Sequence, residues 1–183
     1  MIMKKLGVFL SLILVVNFVF GQKYSTKTGK VHFEASIPLF EDVDATNSSA
    51  VTVLNADTGD IAAILMVKNF KFKVALMEEH FNESYAETAK YPKSTFTGKL
   101  INFNKDELSA VPKKYTLSGM VNFHGVNNKV SSIANIFTQN GKIIVSGNFL
   151  LKTVDFKVKI PKMVTKKIAE NVNVDYQFEL IKQ

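Results

Sequence analysis

The stretch that decides the fold is FKFKVALMEEHFNESYAETAKYPKSTFTGKLI, residues 70–101. It opens with the alternation of a half-buried strand, in which Phe70 and Phe72 share one face. Over Ala75–Phe81 the apolar residues recur every three or four positions, which predicts a short helix. Pro92 ends the helical part because a proline biases the residue before it away from helical angles, and alternation then resumes. We expect an aromatic plug beside a sheet, and any ligand near it.

The rest of the chain alternates in short segments that are separated by turn signals. We expect further strands at 30–37, 50–55, 60–67, 114–124, 129–139, 142–153, 156–160 and 171–182. We expect a loop or irregular edge at 39–49, a polar link at 102–112, a turn at 125–128 and a helical turn at 163–170. Asn140-Gly141 and Asp57-Thr58-Gly59 predict tight hairpin turns. Consecutive antiparallel strands form a sandwich or a barrel. Mid-strand glycines at 98, 119 and 147 favour the bends of a closing barrel.

Residues 1–21 have the pattern of a secretory signal peptide. Lys4 and Lys5 precede an apolar run of about 15 residues, which is shorter than the roughly 20 that cross a bilayer. The alternative is an uncleaved membrane anchor. We predict cleavage after Gly21, a single domain over residues 22–183, and a periplasmic or secreted protein. The sequence has no cysteine, so we expect neither a lipoprotein anchor nor disulfides.

The charge pattern argues against nucleic acid as a partner. The formal net charge is +7, or +5 without the two lysines of the leader, and every basic residue is lysine. Arginine is the usual bidentate reader of phosphate and guanine, and the lysines are scattered rather than clustered. They are typical of a solvated surface, with a weaker attraction for anionic lipid head groups.

The sequence contains little that indicates catalysis. His32, His80 and His124 do not occur at metal-ligand spacing, and there is no cysteine nucleophile, glycine-rich phosphate loop or Gly-x-Ser-x-Gly elbow. Glu79 beside His80 is the one acid–base candidate, but adjacent residues on a helix point in different directions. We therefore expect a protein that is not an enzyme and has no cofactor or metal. The abundant phenylalanine and methionine are compatible with either an ordinary core or a pocket for an apolar ligand.

Three segments, in order, resemble the YceI-like family of exported lipid- and polyisoprenoid-binding proteins. They are HFNESYAETAKYPKSTFTGKL, YTLSGMVNFHGVNNKV and FLLKTVDFKVKIP. In the second, the positions Gly119, His124, Gly125, Val126 and Lys129 fit the family hairpin. Met120, Asn122 and Asn127-Asn128 depart from it, so this turn is divergent.

The resemblance implies an all-β, extended antiparallel, lipocalin-like barrel of about eight strands with one or two short helices. It implies a carrier, store or sequestering protein for a long amphiphilic or polyisoprenoid lipid of the quinone or polyprenyl type. For the ligand-binding wall and mouth we predict Phe70, Phe72, Leu76, Met77, Phe81, Tyr85, Tyr91, Phe96, Phe123, Phe149 and Phe178. Lys90 and Lys93 are predicted to meet an anionic head group.

The alternative is an envelope stress or interaction protein whose barrel is filled by its own side chains and takes no lipid. Transient contact with a membrane surface and a homodimer are both left open by the sequence.

Overall fold

The computed structural model describes residues 22–37, 42–161 and 168–183. The predicted leader and most of the predicted helical turn at 163–170 lie outside the described residues.

The described residues form nine strands and one short α-helix. The strands are β1 (Lys23–Glu34), β2 (Asp44–Asn55), β3 (Asp60–Met66), β4 (Lys71–Phe72), β5 (Lys93–Leu100), β6 (Lys113–Phe123), β7 (Val126–Gln139), β8 (Lys142–Lys152) and β9 (Asn171–Lys182), and the helix is α1 (Ala75–His80). A π-helical turn over Phe81–Tyr85 continues α1 directly. Single 3-10 turns occur at Val67–Asn69, Lys105–Glu107 and Thr153–Phe156.

Eight of these strands form a closed antiparallel barrel. The hydrogen-bonded order is β1-β9-β8-β7-β6-β5-β3-β2, and pairing of β1 with β2 closes the ring. β4 adds only two residue pairs to the start of β2, where Phe72 faces Ala45. The fold class that the sequence predicts, an all-β barrel of about eight strands with a short helix, is therefore confirmed.

The strands run between two ends of different character, which we call the base and the mouth. The base carries the loops at 55–60, 100–113 and 139–142. There Asn140 and Gly141 both have positive φ angles, 50° and 75°, as a type I′ turn requires. Above these loops the interior is solidly packed by fully buried side chains, namely Leu54, Leu100, Leu117, Ile136 and Leu180. The mouth carries the long connection over residues 67–92 and the turn after β8.

The prediction of a loop or irregular edge at 39–49 is wrong from Asp44 onward, where β2 begins and pairs with β1. Its polar residues concealed the strand, because Asn47 is fully buried although its side chain is polar. The Asn47 side-chain amide donates to the carbonyl of Met66, and its oxygen accepts from the backbone N–H of Ser49. A buried asparagine with these partners replaces an apolar side chain without leaving polar atoms unpaired.

The predicted strand at 156–160 is also wrong. The chain there makes a 3-10 turn that ends at Lys157, which has a left-handed φ of 57°. The alternating Phe156, Val158 and Ile160 line an internal cavity instead of joining the sheet. These apolar residues alternate because they line the cavity wall. Strand prediction depends on the same alternation, so it assigned a strand here.

Candidate functional site

The upper half of the barrel encloses an apolar cavity of about 440 Å³. That volume falls within the range of roughly 300–1,000 Å³ typical of ligand pockets. The described lining residues include no carboxylate, and their polar side chains are few: His80, Tyr85, Ser94, Thr95, Lys152, Thr153 and Tyr176. The side chains of the described residues therefore do not fill this half of the barrel.

Four aromatic rings form the floor of the cavity. Phe96 lies 5.6 Å from Phe149, Phe149 lies 5.2 Å from Tyr176, and Tyr176 lies 5.6 Å from Phe178, measured between ring centroids. All four rings line the cavity, and all four also pack in or against the buried core of the base. The rings therefore separate the open half of the barrel from the filled half.

Glycines in the wall make room for these rings. Gly98 and Gly119 face each other on β5 and β6. A Cβ on Gly98 would lie 2.5 Å from Cζ of Phe96, and one on Gly119 would lie 2.7 Å from Cε2 of the same ring. The Phe96 ring thus lies against bare backbone, and any larger residue at either glycine would displace it.

The Tyr176 hydroxyl has a partner inside the barrel. Its ring crosses Gly147, and its oxygen lies 2.9 Å from Oγ of Ser132. Burial raises the pKa of the Tyr176 phenol above its usual value, and the hydrogen bond with Ser132 opposes part of that rise. The floor thus presents apolar ring faces to the cavity, while its one hydroxyl is already hydrogen-bonded.

A second group of rings covers part of the mouth and forms a lid. Phe33 on β1 lies 5.1 Å from Phe70, 5.7 Å from Phe72 and 5.4 Å from Phe81. Phe81 also contacts Phe70 and Phe72, at 5.9 and 5.2 Å. The six-residue α1 has no side-chain cap and no buried residue. A helix this short is unstable alone, so the ring cluster holds the lid in place.

Nine of the eleven predicted site residues line this one cavity: Phe70, Phe72, Met77, Phe81, Tyr85, Phe96, Phe123, Phe149 and Phe178. Leu76 and Tyr91 are not among the lining residues. Leu76 is 57% exposed because it lies on the outer side of α1. Tyr91 packs instead on His124, with 4.5 Å between ring centroids.

Neither lysine predicted to meet a head group lines the cavity. Lys90 lies over the ring of Tyr91, 4.8 Å from its centroid, and Lys93 begins β5 opposite Met66. Lys152 is the lysine that does line the mouth. Sequence reasoning also missed Phe33 and Tyr176, although both belong to alternating segments whose apolar faces were recognised.

Comparison with known proteins agrees with this geometry. A family model described as the YceI-like domain matches residues 15–180. The chain belongs to the YceI-like family. No curated protein sequence matches it.

Solved structures of YceI-like proteins share the fold at low sequence identity. A polyisoprenoid-binding domain from Saccharophagus degradans is 14% identical, with a TM-score of 0.75 over 89% of this chain and 99% of the other. BcnA from Burkholderia cenocepacia is 15% identical, with a TM-score of 0.69 over 82% and 95%. A YceI protein from Campylobacter jejuni is 17% identical, with a TM-score of 0.51 over 72% and 80%.

The hairpin that fits the YceI-like pattern ties the lid to the barrel. His124 is 8% exposed and sits in the β6–β7 turn with a φ of 51°. Its Nε2 lies 2.6 Å from a carboxylate oxygen of Glu87, and its Nδ1 lies 3.1 Å from the carbonyl of Phe156. The carbonyl of Phe156 can only accept, so Nδ1 donates to it. His124 thus joins the lid to the turn after β8.

The turn itself leaves space for Tyr91. Gly125 has a φ of 73°, and a Cβ there would lie 2.6 Å from Cε1 of Tyr91. His124, Gly125, Glu87 and Tyr91 together form a clasp at the mouth. In the part of the chain that the structure describes, no cluster of three or more metal-ligating side chains is present. The described residues also contain no helix with the length and hydropathy of a membrane span.

We predict that His124→Asn loosens the lid without unfolding the barrel. Asparagine tolerates the left-handed backbone of position 124 but is too short to reach both partners. We expect a loss of about 1–3 kcal/mol in the free energy of unfolding. Amide hydrogen exchange should rise over residues 75–91 and 153–158. Glu87→Gln, which keeps the size of the side chain, should have a smaller effect. Unchanged exchange in both segments of the His124 variant would contradict the clasp.

Proposed function

We propose that this protein holds the apolar chain of an isoprenoid or similar amphiphilic lipid between the aromatic floor and the aromatic lid. The observation that carries the proposal is the enclosed cavity, whose walls are almost entirely apolar. The Saccharophagus structure, which shares the fold, is described as a polyisoprenoid-binding domain. Such a protein carries, stores or sequesters its lipid.

The binding free energy would come from burial of the chain. Each Å² of apolar surface removed from water contributes roughly 25 cal/mol, and the cavity offers ring faces, methyl groups and few hydrogen-bonding atoms. A flexible hydrocarbon can pack against such walls, whereas a polar ligand would leave its own hydrogen-bonding groups unpaired. A quinone or polyprenyl head group would remain at the mouth, where Lys152 is the nearest cation that lines the cavity.

Binding fits the lining better than catalysis does. Among the described lining residues His80 is the one imidazole, and no carboxylate accompanies it. The self-filled barrel is disfavoured because the side chains leave a cavity of ligand size. The cavity lies within one chain, so the proposal requires no dimer.

We also propose that the protein is exported. The support is the lysine-led apolar run in residues 1–21, with small residues before the predicted cleavage after Gly21. A lipid carrier in the periplasm or outside the cell would protect its cargo from water.

A tryptophan at the floor should report on lipid binding, because the chain has no other tryptophan. In Phe96→Trp, a prenyl alcohol that enters the cavity should displace water from the indole and shift its emission saturably to shorter wavelength. Val111→Trp places the same probe on an exposed residue of the base and should not respond. If the two variants respond alike, the cavity is not the binding site.

The floor should limit the length of the bound chain. Affinity for prenyl alcohols should rise roughly tenfold or more with each isoprene unit and stop rising when the cavity is full. Phe149→Ala should move that limit to longer alcohols, at a cost of about 3–5 kcal/mol in stability. Phe149→Leu provides a milder version if the first variant unfolds.

Ile133→Ala serves as the control for this series, because Ile133 is exposed on the outer face of β7 and its truncation leaves the cavity unchanged. The same length limit in a folded Phe149 variant and in the Ile133 variant would show that the floor does not set it.

Export can be checked on the protein recovered from the producing cell. Its mass should correspond to a chain that begins at Gln22, and Leu14→Lys, which interrupts the apolar run, should leave it intact inside the cell. A protein outside the cytoplasm that still carries Met1 would be an anchored form instead.

A further inference from the structure

The end of β8 displays apolar side chains to solvent beside the opening of the cavity. Leu150 is 70% exposed and Val154 is 66% exposed. Lys152 and Thr153, which lie between them, line the cavity itself. The two apolar side chains therefore stand at the mouth of the barrel.

Hydrogen bonds hold this exposed turn in place. The side-chain amide of Asn128 donates to the carbonyl of Asp155 at 2.7 Å, and the backbone N–H of Thr153 donates to the carbonyl of Glu170 at 3.1 Å. The carbonyl of Phe156 meets His124, and the Phe156 ring is buried. Val154 is thus exposed on a turn that is tied to its surroundings on three sides.

The lid side of the mouth also exposes apolar side chains, although the acidic residues Glu79 and Glu83 are exposed close to them. Val74 and Leu76, at the start of α1, are both exposed. Solvent-exposed apolar side chains therefore lie on both sides of the opening, on the lid and on the turn after β8.

Lysines accompany these apolar side chains, and none of them forms an ion pair with a described carboxylate. Lys152, Lys157 and Lys159 are exposed. Within the described residues, the ion pairs include none of the three. Two acidic residues lie near these lysines. Asp155 is close to them in sequence, and the carbonyl of Glu170 accepts the hydrogen bond from Thr153. This side of the mouth therefore has an excess of positive charge.

The base differs in this respect. Four of its lysines are paired with carboxylates: Lys99 with Asp60, Lys105 with Asp57, Lys113 with Glu107, and Lys142 with Glu179. The base also exposes an apolar side chain, Val111, at 73%. Exposed lysines outside the described ion pairs also occur at the base, as at Lys114. The mouth is distinguished because its exposed apolar residues and unpaired lysines adjoin the cavity, which Lys152 and Thr153 line.

We propose that the mouth docks on an anionic lipid bilayer. Leu150 and Val154 would enter the boundary between head groups and acyl chains, and the unpaired lysines beside them would meet the anionic head groups. Docking in this orientation turns the cavity opening toward the membrane, so a lipid could enter without crossing water. The value of this orientation rests on the proposed lipid cargo, but the docking itself can be measured without cargo.

The test is sedimentation of the full mature chain with vesicles of phosphatidylcholine alone or mixed with phosphatidylglycerol. We expect binding to the mixed vesicles that weakens as salt is raised. Lys152→Gln and Lys159→Gln should each reduce binding roughly fivefold. Val154→Thr, a change of equal shape, and Leu150→Gln should reduce it further while leaving the fold intact.

Matched controls lie at the base. Val111→Thr and Lys114→Gln alter an exposed apolar residue and an exposed lysine there, and both should bind vesicles as the unchanged protein does. Equal losses in base and mouth variants, or equal binding to both kinds of vesicle, would overturn the proposal. So would mouth-dependent self-association in the ultracentrifuge without vesicle binding, because the surface would then fit a second copy of the chain.

A parallel prenyl-alcohol titration of Phe96→Trp in vesicle-free buffer separates this proposal from the proposed function. If the protein binds the prenyl alcohol in solution but does not bind vesicles, the docking proposal fails and the lipid-binding proposal stands. If the protein binds vesicles through the mouth but does not bind the prenyl alcohol, the docking proposal stands and the lipid-binding proposal fails.

Discussion

The structure depends on the contact between aromatic rings and bare backbone at the middle of the barrel. An eight-stranded barrel is just wide enough either to be filled by side chains or to hold one ligand. Here the interior is divided, because the Phe96 ring lies against Gly98 and Gly119 and the Tyr176 ring lies across Gly147. The rings pack along the wall instead of projecting into the upper space. Filled and open halves thus coexist in one sheet, whose pairing shifts register only along β1, around Gly29.

The two halves have different reasons to be stable. The base is held by fully buried aliphatic side chains such as Leu54 and Leu117, whose packing involves most strands of the barrel. The lid is held by a few ring contacts, each contributing about 0.5–1.5 kcal/mol beyond the area that it buries, and by the hydrogen bonds of His124. Local opening of the mouth should therefore require less free energy than unfolding of the base, which is the order that entry and exit of a ligand require.

Much of the barrel could be predicted because strand alternation is a local property. The hairpin at Asn140-Gly141 and the helix after Phe72 follow from patterns of a few residues. The sequence could not show which rings form the floor and which form the lid. Phe33 and Phe81, for example, are far apart in sequence and come into contact only because the barrel closes. The same holds for Tyr91, whose partner His124 lies far along the chain. β2 was partly hidden because Asn47, a residue that favours turns, is buried with side-chain partners.

The lining also determines what kind of selectivity the cavity can have. Tyr176 carries the one hydroxyl of the floor, and this hydroxyl is already hydrogen-bonded to Ser132. A buried polar group without a partner would increase the affinity for a ligand that hydrogen-bonds to it and lower the affinity for other ligands. With that hydroxyl satisfied, the floor can distinguish chains only by length and shape. Polar discrimination must then come from the mouth, where His80, Lys152 and Thr153 lie. Under the proposed function, a lipid whose chain fits the barrel could therefore carry any of several head groups, provided that the head group remains outside.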